Sequence, residues 1–232
     1  MIKYNHQHNT TSSSTIREVV FGVEDGMVST LGAITGIAIG SQDHFTVILA
    51  GTVIIAVESI SMGIGSYLAN RSEQDVNQRR LLEEKEEIQQ YPKEEKEELK
   101  NLFVKDGWPN KIVQEMSRVA SENKKLMLKE MAYRELSIAQ DPSTGPLKKA
   151  IFMYASYIVG GMVPLFAYFI LSVPRATPVS IVVTLAGLFA LGVATTKYTK
   201  GSWFKAGGRI LSLGTVALVV GYIVGGIAAK FS

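Results

Sequence analysis

The sequence predicts an all-α integral membrane protein with five transmembrane helices and a cytosolic helical bundle inserted between the second and third. Three observations carry that prediction: five apolar runs of bilayer-spanning length, one long charged stretch between the second and third of them, and acidic residues inside the first two. A hydrocarbon core of ~30 Å needs about 20 helical residues. Residues 16–40, 45–69, 150–171, 178–196 and 210–229 each come close to that length. The apolar share of 47% is no higher than in many soluble chains, so it is the clustering of apolar residues that decides. The layout becomes a polar tail at 1–15, expected to be disordered, a first membrane pair at 16–70, the insertion at 71–146 and three further spans at 147–232.

The first run, FGVEDGMVSTLGAITGIAIG, carries Glu24 and Asp25. It is too long and too acidic for a cleavable signal, and the tail before it is polar rather than basic. Gly22 and Gly26, followed by Gly32, Gly36 and Gly40, form a ridge of small residues that permits close helix packing or dimerisation in lipid. The second run places Glu58 and Met62 one turn apart on a common face, with Ser59, Ser61, Gly63 and Gly65 around them. The last three runs carry no charge. Lys and Arg concentrate in the tail, the insertion and the loop with Lys197, Lys200, Lys205 and Arg209, leaving Arg175 and Lys230 on the other side. By the positive-inside rule the amino terminus is cytoplasmic and the carboxyl terminus outside or lumenal.

The insertion contains most of the charge. Its polar helical pattern continues from the second span through LANRSEQDVNQRR and is interrupted at Tyr91 and Pro92. Further helices are expected at about 93–105, ended by the Trp108-Pro109 pair, at 110–120, and at 121–140 with Ser121 as its N-cap and DPSTGP closing it. Leu81, Leu82, Ile88, Leu99, Leu102, Phe103, Ile112, Val113, Met116, Leu126 and Leu128 supply a modest core. Glu84 and Glu87 are three apart, as are Glu95 and Glu98, while Glu83 and Glu94 begin i, i+4 pairs, so each helix presents carboxylates on one face. Folded about the Tyr91-Pro92 break, two such faces would gather four or more carboxylates, which suit Fe²⁺, Mn²⁺ or Mg²⁺. The alternative is a solvated face of Glu and Lys pairs.

Charge buried in hydrocarbon is costly unless paired, solvated or metal-bound, so Asp25 and Glu58 read as functional, against the alternative of a structural hydrogen bond between helices. Asp25, Glu58 and the softer thioether of Met62 together suit a borderline transition metal; Met62 alone also reads as simple core packing. The chain has no cysteine, which removes disulfides, thiolate metal sites and cysteine nucleophiles. A net charge of +3 with no basic stripe argues against nucleic acid. No phosphate loop, dinucleotide motif or nucleophile triad appears, no prosthetic group is implied, and no enzyme activity is expected. The only histidines are His6, His8 and His44, so the Glu-x-x-His pairs of di-iron oxidases cannot be built in the bundle. His6 and His8 could hold metal only weakly in a disordered tail.

REVVFGVEDGMVSTLGAITG, followed by ISMGIGSYLANRSEQD in the second span and GGMVPLFAY in the third, closely resembles the vacuolar iron transporter (VIT) family over nearly the whole chain. The resemblance implies a homodimer whose first two helices line a path for Fe²⁺ leaving the cytosol in exchange for protons. It further implies that Asp25 and Met62 are the membrane metal ligands, that Glu84, Glu87, Glu95 and Glu98 bind metal in the cytosolic domain, and that Met131 and Glu135, in EMAYREL, join them. Two departures stand out. Ile54 occupies the position where the family has a glutamate, and Ala132 follows Met131 where the family often has a second methionine. Glu58 lies one turn after Ile54, about 5.4 Å along the helix at a similar azimuth, and is the candidate replacement, so Asp25 and Glu58 are the candidate proton-coupling pair. Loss of a soft ligand at Ala132 would widen metal choice toward Mn²⁺. A membrane-anchored metal-storage or sensor protein that binds without transport is the alternative; it accounts for the Glu pairs but not for acids within spans. With no targeting signal, a prokaryotic plasma membrane and a vacuolar membrane are both open, and the compact chain favours the former.

Overall fold

A computed structural model describes residues 13–138 and 145–231. The described residues form eight helices: α1 (Ser13–Ser41), α2 (His44–Gln90), α3 (Pro92–Lys105), α4 (Asn110–Glu122), α5 (Lys124–Arg134), α6 (Pro146–Ile170), α7 (Val173–Thr199) and α8 (Trp203–Ala228). They divide into two compact units, Met1–Leu68 with Thr144–Ser232, and Ala69–Ser143. The tail expected at 1–15 lies almost wholly outside the described residues, as do the expected end of the last insertion helix at Gln140 and most of DPSTGP.

In the first unit α1 is the central helix, packed against α6, α7 and α8. Four helices, α2, α6, α7 and α8, are long and apolar enough to cross a membrane. The fifth expected span, α1, has the length at 29 residues but not the hydropathy, because Arg17, Glu18, Glu24, Asp25 and its many Gly, Ser and Thr residues dilute the apolar run. A helix enclosed by its neighbours needs no continuous lipid-compatible surface, which is how this composition is accommodated. Glycines make the enclosure possible. A Cβ at Gly26 would collide with the carbonyl of Tyr157 on α6, and one at Gly221 of α8 with the carbonyl of Gly32, so both contacts are backbone against backbone. Gly26→Ala is therefore expected to destabilise the unit by about 1–3 kcal/mol, the usual cost of overpacking, seen as a lowered unfolding midpoint of the detergent-solubilised protein; an unchanged midpoint would contradict this packing.

One core joins Ile34 and Ala38 of α1, Val47 and Ile55 of α2, and Leu165 and Tyr168 of α6. The opposite side of α2 leaves Phe45, Leu49, Val53, Val57, Ile60 and Ile64 exposed on the single chain, an apolar stripe of the kind that faces lipid or another helix. α7 begins at Val173, five residues before the expected start. Pro174 falls in the first turn of α7, where a missing N–H costs little, Pro178 lies inside the helix, and Arg175 is helical rather than part of a loop.

The second unit is an insertion bundle with a small core of Ile88, Leu99, Phe103, Val113, Ala120, Met127 and Met131. The breaks at Tyr91 and Trp108-Pro109 fall as expected. The start of the last helix does not: Asn123, not Ser121, is the N-cap of α5, its side chain accepting from the N–H groups of Lys125 and Leu126, while the Ser121 hydroxyl donates back to the Arg118 carbonyl. α5 ends at Arg134. Leu82 and Ile112, expected in the core, are exposed; Ala120 and Met127 take part instead. Arg134 closes the bundle by stacking its guanidinium 4.4 Å above the Phe103 ring while pairing with Glu130 and Asp106.

Candidate functional site

The expected residues gather in two places, one in each unit. In the first unit Asp25, half-buried on α1, stands close enough to Glu58 of α2 for their carboxylates to interact electrostatically. A residue not anticipated from the sequence lies with them. Tyr157 of α6 is fully buried, and its hydroxyl sits 2.6 Å from Ser29 Oγ and donates to Glu58 Oε2 at 3.3 Å. With the phenol proton directed at Glu58, Ser29 is the donor to the phenol oxygen. Met62 is half-buried one turn from Glu58, and Ile54, where the family glutamate was expected, is a half-buried apolar residue one turn on the other side. Glu58 itself remains exposed on the single chain.

Two further acids lie on α1. Glu24 lies within the field of Arg209. Glu18, 4% exposed, accepts from Ser66 Oγ at 2.9 Å and from Arg17 at 3.4 Å. Glu18 precedes Asp25 by seven residues and so shares its face of α1; that spacing was the available sequence signal. A groove of about 730 Å³ between α1 and α8, lined by residues such as Gly32, Gly36, Val220 and Gly221, is apolar apart from Ser29 and Ser41 and has no charged residue in its lining.

In the second unit Glu84 of α2 and Glu95 of α3 are buried at 3% and 7% exposure. Glu84 is in carboxyl-to-carboxyl hydrogen-bond reach of Glu95 and of Glu135, with Glu87 and Glu98 adding negative potential around them. The turn at Tyr91 folds α3 back and accounts for the meeting of Glu84 and Glu95. Arg79 pairs with Glu83 and Lys100 with Glu97, not with the buried carboxylates. Glu84 Oε1 and Glu95 Oε2 are buried with no protein donor. Such atoms call for a proton held between carboxyls, a water or a cation.

Their protonation follows. Burial, reinforced by Glu135 and Glu95, pushes the Glu84 carboxyl up to about 8. Burial and then Glu98 raise Glu95 and Glu135 above the ordinary carboxylate range. The approach is pairwise through Glu84; among the described residues no three His, Asp or Glu side chains form a closed metal-holding group. Glu87 and Glu98 are exposed at the rim. Met131 is fully buried in the same apolar cluster as Ile88, Leu99 and Phe103, one turn before Glu135.

The chain matches the family model described as the VIT family over residues 16–226. It is 30% identical over 208 residues to vacuolar iron transporter 2 of Oryza sativa subsp. japonica, covering 89% of this chain and 85% of that one. It is 26% identical to vacuolar iron transporter 1 of Arabidopsis thaliana, over 94% and 87% of the two chains. It is also 27% identical to the vacuolar iron transporter of Toxoplasma gondii (strain ATCC 50861 / VEG), over 97% and 78%. The family match extends over both units and takes in Asp25, Glu58 and the acidic cluster of the insertion, and on it the chain belongs to the VIT family.

Proposed function

We propose that this protein carries Fe²⁺ out of the cytosol by exchange with protons; the relatives it resembles are named vacuolar iron transporters. The observation that carries the reading is the meeting of Asp25 and Glu58 between helices of an apolar unit. Two carboxylates at hydrocarbon depth are too costly to keep without a cation, a proton or a partner. α1 is the fifth span, sheltered by its neighbours. A second copy of the chain covers the exposed apolar stripe of α2 and with it Glu58, so that Asp25, Glu58 and Met62 of two subunits line one path. Asp25 and Met62 bind the ion as it loses water, and Asp25 or Glu58 takes up a proton as the ion departs, because a neutral acid is a poor ligand. In the second unit Glu84, Glu87, Glu95, Glu98 and Glu135, with the Met131 thioether, capture metal from the cytosol. Oxygen-rich ligand sets admit Mn²⁺ as well. The membrane is a prokaryotic plasma membrane or a vacuolar membrane, with the amino terminus on the cytosolic side.

Purified protein in liposomes with an imposed pH gradient tests the reading. Fe²⁺ uptake above that of empty liposomes, collapsing when the gradient is dissipated, is the expected result, with Mn²⁺, Co²⁺ and Zn²⁺ compared side by side. Metal binding with no flux would overturn it in favour of a storage or sensor protein.

A further inference from the structure

We infer that Tyr157 is a positioning residue of the membrane metal path: its hydroxyl holds the Glu58 carboxylate of α2 in register with Asp25 of α1 and so sets how tightly the path takes its ion. This rests on the transport reading above and names a residue that reading does not use.

Three features of the structure converge on that hydroxyl. The first is reach. Gly22 and Gly26 leave no Cβ between α1 and α6, and a methyl at either would collide with backbone atoms of Tyr157 or Met153. The α6 backbone therefore lies directly against α1, and the phenol extends from α6 to the face on which Asp25 and Ser29 sit one turn apart. The second is direction. Tyr157 is fully buried, so its hydroxyl must be satisfied internally; it is satisfied by Ser29 Oγ at 2.6 Å and by Glu58 Oε2 at 3.3 Å. One hydroxyl thus ties three helices together. The third is need. Glu58 is exposed on the single chain and has no other hydrogen-bond donor among the described residues; a long acid on the poorly packed side of α2 has several rotamers available. Donation from a ring that cannot move selects the one that keeps the carboxylate beside Asp25. Partners that orient metal ligands in this way typically contribute ten- to a hundredfold in metal affinity.

Tyr157→Phe keeps the ring and its packing and removes only the donor. In proteoliposomes it is expected to raise the half-saturating Fe²⁺ concentration about tenfold, with the maximal rate within about twofold of wild type. Because the hydroxyl acts through Glu58, the same substitution in a Glu58→Gln background is expected to change half-saturation by less than about twofold. If Glu58→Gln carries no flux, Glu58→Asp, whose shorter side chain withdraws the carboxylate from the phenol, takes its place in the cycle. A Tyr157→Phe protein with wild-type half-saturation, or one whose full penalty persists in the Glu58 background, overturns the inference while leaving transport intact. A wild-type protein that carries no ion overturns the transport reading first, and the inference with it.

Discussion

Replacing Asp25 with alanine is expected to lower Fe²⁺ uptake by reconstituted protein at least about a hundredfold while leaving the protein folded. The size of the effect follows from where the carboxylate stands. Asp25 is half-buried on the central helix, beside Glu58, and no Lys or Arg pairs with it among the described residues. An acid held there only for structure would have a cationic or donor partner, as Glu18 has in Ser66 and Arg17. Removing Asp25 therefore breaks no ion pair and strands no buried cation, so stability should be little affected, or even improved. In the proposed mechanism, what is lost is the negative charge that compensates a doubly charged ion stripped of water. Asp25→Asn separates the two contributions, since it keeps size and hydrogen bonding and removes only the charge; it should be as inactive as alanine. Uptake at the normal rate by either variant, with an unchanged elution volume in detergent, would remove Asp25 from the path.

The contrast between these acids shows what the sequence could and could not reveal. Glu24, Asp25 and Glu58 stand out as charges in apolar runs, because the cost of burying charge is a property of composition and needs no fold. Which of them lies in the field of a basic residue depends on Arg209, some 180 residues away in the chain, and no local pattern announces that proximity. Tyr157 was illegible for a related reason: a tyrosine in an apolar helix is ordinary, and only the backbone approach at Gly22 and Gly26 gives its hydroxyl two polar partners. In the insertion the breaks at Tyr91-Pro92 and Trp108-Pro109 were readable because proline has a fixed local preference. The start of α5 was not, since Ser121 and Asn123 are both good caps, and Ser121 instead lies inside α4 with its hydroxyl bonded back to the Arg118 carbonyl. The expectation of a span at α1 rested on the length of its apolar run, and its hydropathy falls short. A run of glycines and hydroxyls looks marginal for lipid, yet that composition is what allows the helix to sit in the middle of the others.

Metal binding by the acidic cluster is expected to weaken at least about tenfold for each pH unit below 8, so that affinity at pH 6 is lower than at pH 8 by a factor of about a hundred or more. Glu84 holds its proton up to about 8, so an ion arriving at neutral pH must displace at least that proton, and further protons from Glu95 and Glu135, which burial also pushes upward, steepen the dependence. The same shift acts on stability with the opposite appearance. A carboxyl whose folded value lies above its unfolded one stabilises the fold while protonated, and that contribution is lost as pH rises from the ordinary value of 4.5 through about 8. The metal-free protein should therefore unfold more easily at pH 8 than at pH 5, and saturating Mn²⁺ should reverse the order by supplying the positive charge that the buried oxygens of Glu84 and Glu95 lack. Glu84→Gln tests both halves at once: with no proton to exchange, it should flatten the pH dependence of the metal-free melt and reduce Mn²⁺ affinity at pH 8, where the wild type binds best. Titration calorimetry in buffers of different ionisation enthalpy counts the protons released. Binding that releases none, or that is equally tight at pH 6 and pH 8, would mean the cluster is not where the ion goes, and that its crowded carboxylates are held together by shared protons alone.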